Sequence, residues 1–173
     1  MVAYHDDEWG VPTHDDVELF ERLALESFQA GLSWSTILRK REAFRAGFRG
    51  FDPRIVAAFD DRDTERLMAD AGIVRNRAKI DATIGNARAQ LRVAETFGTF
   101  DRYLAGRVPG PPARLRRDAR SGRIPATTPV SDALAADLKR RGFRFVGSTI
   151  VYAFMQSVGL VDDHVPGCFR YRG

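Results

Sequence analysis

The sequence predicts an all-α fold. Three observations carry this. Apolar residues recur at helical spacing over most of the chain, and the periodic runs are bounded by capping residues, glycines and prolines. There is also no run alternating apolar and polar residues as a β-hairpin would. With 173 residues, 44% of them hydrophobic and 29% charged, the chain is long enough for one domain with a real core.

The elements follow in order. Asp15 or Asp16 opens a helix that runs to near Ala30, where Gly31 breaks it. Leu19, Leu23, Glu26 and Ala30 share one face, flanked by Phe20 and Ser27, while Glu18, Glu21, Arg22 and Gln29 lie off its centre. A second helix starts after Ser33 and carries Ile37, Leu38 and Phe44. Asp52-Pro53 is a cap followed by proline at the first helical position, opening Arg54–Phe59. Asp63 or Thr64 opens a short helix that Gly72 ends. The longest periodic stretch spans Asn76–Thr96, with Ile80, Ile84, Ala87 and Leu91 on one face, and a short helix covers Phe100–Ala105. Val108–Thr128 is dense in proline and arginine without periodicity, as a long functional or flexible loop would be. Ser131 caps a helix to Arg141, Gly142 ends it, and a tight turn leads into Ser148–Val158. Tyr4 and Trp9 flank an acidic turn.

Composition narrows the function. The net charge is +4, and all but three of the 27 cationic side chains are arginine. Arginine suits phosphate and base contacts, although a bias toward arginine in the coding sequence gives the same count. There is no 18-residue apolar run and no signal-peptide pattern. A single cysteine, Cys168, excludes an internal disulfide framework and suits a reducing cytoplasm.

Four features bear on chemistry. Glu26 places a carboxylate where a core side chain is due, which is costly unless something compensates it. The turn Gly142-Phe143-Arg144-Phe145-Val146-Gly147 leads into a helix whose first amides favour an anion, with Arg140, Arg141 and Arg144 around it. An ordinary helical corner, with Phe143 and Phe145 in the core, explains the same residues. His164 and Cys168 have a spacing that can place two ligands on one metal, with His5 needed from across the fold. Trp34 follows a helix break, where an aromatic ring can stand beside a cleft.

Five segments together resemble the bacterial 3-methyladenine DNA glycosylase I family. They are Tyr4-His5-Asp6-Asp7-Glu8-Trp9-Gly10-Val11-Pro12, Leu25-Glu26 with Gln29 to Trp34, Asp70-Ala71-Gly72-Ile73 with Gly85-Asn86-Ala87, Arg141-Gly142-Phe143 with Phe145-Val146-Gly147, and Val161 with Asp163-His164. The resemblance implies a helix-hairpin-helix DNA glycosylase-like helical bundle over residues 1–173 as one domain, with the helix-hairpin-helix at about 131–158. It implies excision of 3-methyladenine from alkylated double-stranded DNA by a bacterial, cytoplasmic, monomeric enzyme.

The resemblance also distributes roles. Glu26 is the catalytic residue and a base contact, with Tyr4, Trp9 and Trp34 as aromatic base-binding residues between which a flat cation stacks. Gly31 and Leu32 match a plug that fills the gap left by the flipped base. Val146, Gly147, Ser148 and Thr149 grip the DNA backbone. The superfamily's attacking lysine after the hairpin glycine is replaced by Ser148, Thr149 and Ile150, so the expected enzyme is monofunctional and uses water. Asp162 stands where this family commonly has asparagine; it either assists at the sugar or is a surface aspartate at a helix end. A structural zinc would be held by His5, His164, Cys168 and an N-terminal cysteine. The chain begins three residues before Tyr4 without that cysteine, so a weakened zinc site tying the termini together is expected. A helix-hairpin-helix module that binds DNA without chemistry, and a glycosylase for another alkylated purine, are the alternatives.

Overall fold

The computed structural model describes residues 1–109 and 124–171. Helices joined by turns make up the described chain: α1 (Val2–Asp7), α2 (Asp16–Gln29), α3 (Trp34–Gly47), a 3₁₀ turn (Arg49–Phe51), α4 (Pro53–Ala57), α5 (Asp61–Ala69), α6 (Arg77–Phe97), α7 (Phe100–Ala105), α8 (Pro129–Arg140) and α9 (Ser148–Ser157). Most of the Val108–Thr128 stretch, residues 110–123, lies outside the described residues.

The sequence signals set most of the boundaries. Asp15 accepts from Val17 N and Glu18 N, Ser33 from Thr36 N and Asn76 from Lys79 N, each closing an orphan amide of the helix that follows. Two starts differ from expectation. Thr128 caps α8, and Ser131 is its reciprocal partner in a capping box; Asp60 and Asp63 make the same pair at α5. The expected caps thus sit three residues inside their helices. The expected acidic turn at the N-terminus is a helix, α1, in which only Tyr4 is buried.

The helices enclose two apolar clusters. One gathers α7, α8, α9 and the C-terminal half of α6. The other gathers α3, the Phe48–Phe51 corner, α4, α5 and the N-terminal half of α6. The central helix α2 belongs to both, giving Leu19 and Leu23 to the first and Phe20, Ala24, Leu25 and Phe28 to the second. It is therefore buried all round from Leu19 to Phe28, and the single stripe read from its sequence is too narrow. Glu21 and Arg22, expected off the apolar face, are 6% and 3% exposed.

Those two charges are buried because partners meet them, most from other elements and one from α2 itself. Glu21 Oε1 lies 2.8 Å from Arg41 Nε and 3.0 Å from Arg45. Arg22 pairs with Glu18 at 2.6 Å and Glu8 at 3.3 Å. Asp16, at the start of α2, reaches further: its two carboxylate oxygens accept from Phe100 N at 2.9 Å and Asp101 N at 3.0 Å, the first amides of α7. Among the described residues no helix is long and apolar enough to cross a membrane.

Candidate base-binding cavity and DNA interface

Burial of Glu26 differs in kind from that of its neighbours. It is 6% exposed and, among the described residues, makes no hydrogen bond or ion pair. Loss of water pushes its carboxyl up to about 8, against the weaker pull of the Arg22 guanidinium one turn away. A protein rarely keeps such a group without a use for it.

Glu26 faces a cavity of about 230 Å³, lined also by Tyr4, Trp9, Gln29, Trp34, Ala153 and Gln156. That volume falls below the roughly 300–1,000 Å³ of drug-sized sites, as suits one small flat ring. Four of the lining residues were expected: Tyr4, Trp9, Glu26 and Trp34. α1 supplies Tyr4, α2 supplies Glu26, and Trp34 is the first residue of α3, just beyond the Gly31 break.

Two of the wall's polar atoms are also unpartnered. The Tyr4 hydroxyl and Trp34 Nε1 are buried without a hydrogen-bond partner. Tyr4 is raised above its ordinary value by burial first and the nearby Glu26 second, so it is a neutral phenol. Three groups able to hydrogen-bond a ligand thus line one small aromatic chamber.

Ala153, Gln156 and Gln29 were not singled out as base contacts. Gln156 lies on the apolar helix α9, and nothing in its local pattern sets it apart. Its Nε2 donates to Asp163 Oδ2 at 2.5 Å, and Tyr152 donates to the same oxygen at 2.6 Å.

The turn after α2 carries Gly31 and Leu32, the residues expected to act as a plug. Gly31 has φ +82°, which a side chain resists, and Leu32 is 38% exposed. Gln29 Nε2 donates to Leu32 O at 2.7 Å. The residues expected to hold the DNA backbone lie in the turn between α8 and α9 and at the start of α9. Gly147 is the N-cap of α9 with no side-chain cap, so the first α9 amides are not closed from within. Thr149 is exposed, whereas Ser148 Oγ bonds Ser131 Oγ at 2.8 Å.

Val146 does not offer a side chain to DNA. It is 1% exposed and packed in the core, so only its backbone can make contact. Phe143 is core as expected for a helical corner, but Phe145 is 37% exposed at φ 54°. Arg140 and Arg141 turn back onto Asp137, which also takes Arg107 and the Tyr103 hydroxyl; Arg144, within the turn, is exposed.

A third cluster adjoins the cavity. Ligand atoms of His5, His164 and Cys168 lie within 4.8 Å of one another. Cys168 Sγ is 3.6 Å from His5 Nε2, and His164 Nε2 is buried without a hydrogen-bond partner. Each imidazole is fixed from behind: His5 Nδ1 by Asp6 at 2.8 Å, His164 Nδ1 by Asp162 at 2.7 Å. This leaves the Nε2 atoms to face the centre, as in metal sites with carboxylate-held histidines. Asp162 also accepts from His164 N at 3.1 Å, so it holds both the backbone and the ring of His164. The His164 ring meets Trp9 edge-on at 4.7 Å, joining this cluster to the cavity wall. His14 bonds Asp101 elsewhere.

Residues 1–171 match the family model described as methyladenine glycosylase. The chain is 52% identical over 172 residues to DNA-3-methyladenine glycosylase 1 of Escherichia coli, covering 99% of this chain and 91% of that protein. It superposes with TM-score 0.91 on a crystal structure of 3-methyladenine DNA glycosylase I, at 52% identity over 99% of this chain and 93% of that one. It also superposes with TM-score 0.91 on a structure concerned with 3-methyladenine recognition by the Staphylococcus aureus enzyme, at 39% identity over 97% and 89% of the two chains.

Proposed function

The chain belongs to the methyladenine glycosylase family, and we propose from that premise that it excises 3-methyladenine from alkylated double-stranded DNA in the cavity of Tyr4, Glu26 and Trp34. The observation that carries the assignment of the site is the buried, unpaired carboxylate of Glu26 among aromatic rings. Alkylation at N3 gives the base a positive charge, and that charge already weakens its bond to deoxyribose. The base leaves without needing a proton. Glu26 supplies opposite charge and accepts hydrogen bonds from the base edge, and a bound cation draws the carboxyl into its ionised form. Tyr4, Trp9 and Trp34 supply rings to a flat cation.

Reaching the cavity requires the nucleotide to leave the stack, at a cost of a few kcal/mol that is smaller for a damaged base. Leu32, carried on the Gly31 turn, fills the gap. The Val146 backbone, Gly147, Ser148 and Thr149 hold the phosphates. Among the described residues no lysine lines the cavity, and Lys79 is engaged with Phe28 O and Ala30 O. Water is therefore the nucleophile and the enzyme is monofunctional.

The same reading makes the chain one domain, with α2 shared by both clusters, acting as a cytoplasmic monomer. His5, His164 and Cys168 fit a structural zinc: their ligand atoms are of the type zinc takes and converge within 4.8 Å, Cys168 Sγ and His5 Nε2 are 3.6 Å apart, and the orphaned His164 Nε2 needs a partner. The ion would hold the wall behind Trp9 and take no part in the chemistry.

The test is release of free base from methylated duplex by the wild type and Glu26→Gln. Release by the wild type and its loss in the variant is the expected result. No release by either points to a DNA-binding module, and release unchanged by the substitution removes Glu26 from the reaction.

A further inference from the structure

We propose that Lys79 and Asn86, on one face of α6, are positioning residues that hold the Gly31–Leu32 wedge in register with the hairpin turn between α8 and α9. This deepens the glycosylase reading and rests on it.

Lys79 is 7% exposed, yet among the described residues it meets no carboxylate. Burying an ammonium without a counter-charge is expensive. Its Nζ donates only to Phe28 O at 2.9 Å and Ala30 O at 2.7 Å. These are the orphan carbonyls at the end of α2, where the helix dipole is negative. The wedge turn begins at this point. Leu32 N closes the turn onto Gln29 O at 2.7 Å, and the Gln29 side chain closes it again onto Leu32 O.

Asn86 follows Lys79 by seven residues and so points the same way. It is 2% exposed, and both ends of its amide engage one residue of the hairpin turn. Nδ2 donates to Arg144 O at 3.0 Å, and Oδ1 accepts from Arg144 N at 2.8 Å. The next residue, Phe145, has φ 54°, a conformation that needs support from its surroundings. Ser27 adds a bond from α2, its Oγ donating to Phe145 O at 3.0 Å.

One rigid helix therefore grips both parts of the DNA-facing surface, at points roughly 10 Å apart by helical rise. Base extrusion needs the wedge in the stack while the hairpin holds the backbone. A wedge free to wander would have to be ordered at each encounter.

The experiment compares the wild type, Lys79→Met, Leu32→Ala and the double variant. It measures base release from methylated duplex, free 3-methyladenine binding by tryptophan quenching, and thermal melting. Lys79→Met is expected to slow duplex release about tenfold, the effect of one strong hydrogen bond. Free-base affinity stays within about twofold, and in the Leu32→Ala background the same substitution costs less than about twofold. Full additivity in the double variant, or an equal loss of free-base binding, overturns the proposal. Should Lys79→Met fail to melt cooperatively, Asn86→Asp, which keeps the acceptor for Arg144 N and loses the donor, enters the same cycle with the same expectation. Absence of release by the wild type sinks the glycosylase reading itself, and the inference with it.

Discussion

The ring of Tyr4 lies against the ring of Trp34, with centroids 5.3 Å apart and planes inclined at 53°. The two rings touch each other, so no base slips between them. The pair forms one tilted corner of the cavity, whose third expected ring is Trp9. Trp34→Ala is expected to weaken free-base binding by about 10–100-fold, the range of one lost stacking partner. Trp34→Phe keeps most of the affinity. Titration of 3-methyladenine against both variants checks this, and equal losses would contradict the stacking role.

Glu26 makes a pH signature. Its folded value, about 8, lies above its ordinary 4.5, so between those values the folded protein holds a proton that the unfolded chain has released. Stability contributed by this group is complete below pH 4.5 and declines as pH rises toward 8. Urea titrations from pH 5 to 9 are expected to show a steeper decline for the wild type than for Glu26→Gln. Over the same range the wild type is expected to bind a cationic base more tightly as pH rises, while the variant stays flat. Parallel stability curves for the two proteins would show that the carboxyl is not desolvated.

Asp137 has the opposite sign. Arg141, Tyr103, Arg107 and Arg140 donate to it and hold its carboxyl well below the usual carboxylate range, against the effect of burial. Its contribution is present above its ordinary value of 3.8 and is lost as pH falls below that. Asp137→Asn is expected to cost about 1–3 kcal/mol at neutral pH, since it loses charge-assisted bonds to a nearly buried site. Denaturant melts measure it, and a variant as stable as the wild type would show those contacts to be idle.

Metal content tests the His5, His164 and Cys168 cluster. Protein purified with zinc is expected to carry close to one ion, and Cys168→Ser or chelation lowers both the content and the melting temperature. Activity per folded molecule changes little, because these ligands stand behind the wall. Elemental analysis giving no zinc would refute the site.

Much of this was legible in the sequence, and the failures have causes. α2, α3, α6 and α9 follow from period and punctuation. α1 offers no stripe to read, because Tyr4 is its only buried residue. Thr128 and Ser131 carry equivalent hydroxyls, so residue type alone does not fix the start of α8; Pro129, at the first helical position, identifies Thr128. Glu26 stands out because it puts a carboxylate among the apolar residues of one helical face. Glu21 and Arg22 read as outward-facing because their partners Arg41 and Glu8 come from other elements. Gln156 and Lys79 carry no local sign of what they face.

The two bonds from Asp16 to the first amides of α7 bear on how the molecule comes apart. A six-residue helix does not sustain itself in water. Its opening amides find their acceptors on a segment 84 residues earlier in the chain, so α7 closes only once α2 has docked. Gln90 Nε2, donating to Asp16 O at 2.8 Å, fastens α6 to the same spot. Three helices thus meet at one carboxylate-bearing residue, and none can fray there alone. Hydrogen exchange at the Phe100 and Asp101 amides then reports the global unfolding of the protein, although they begin one of its shortest helices.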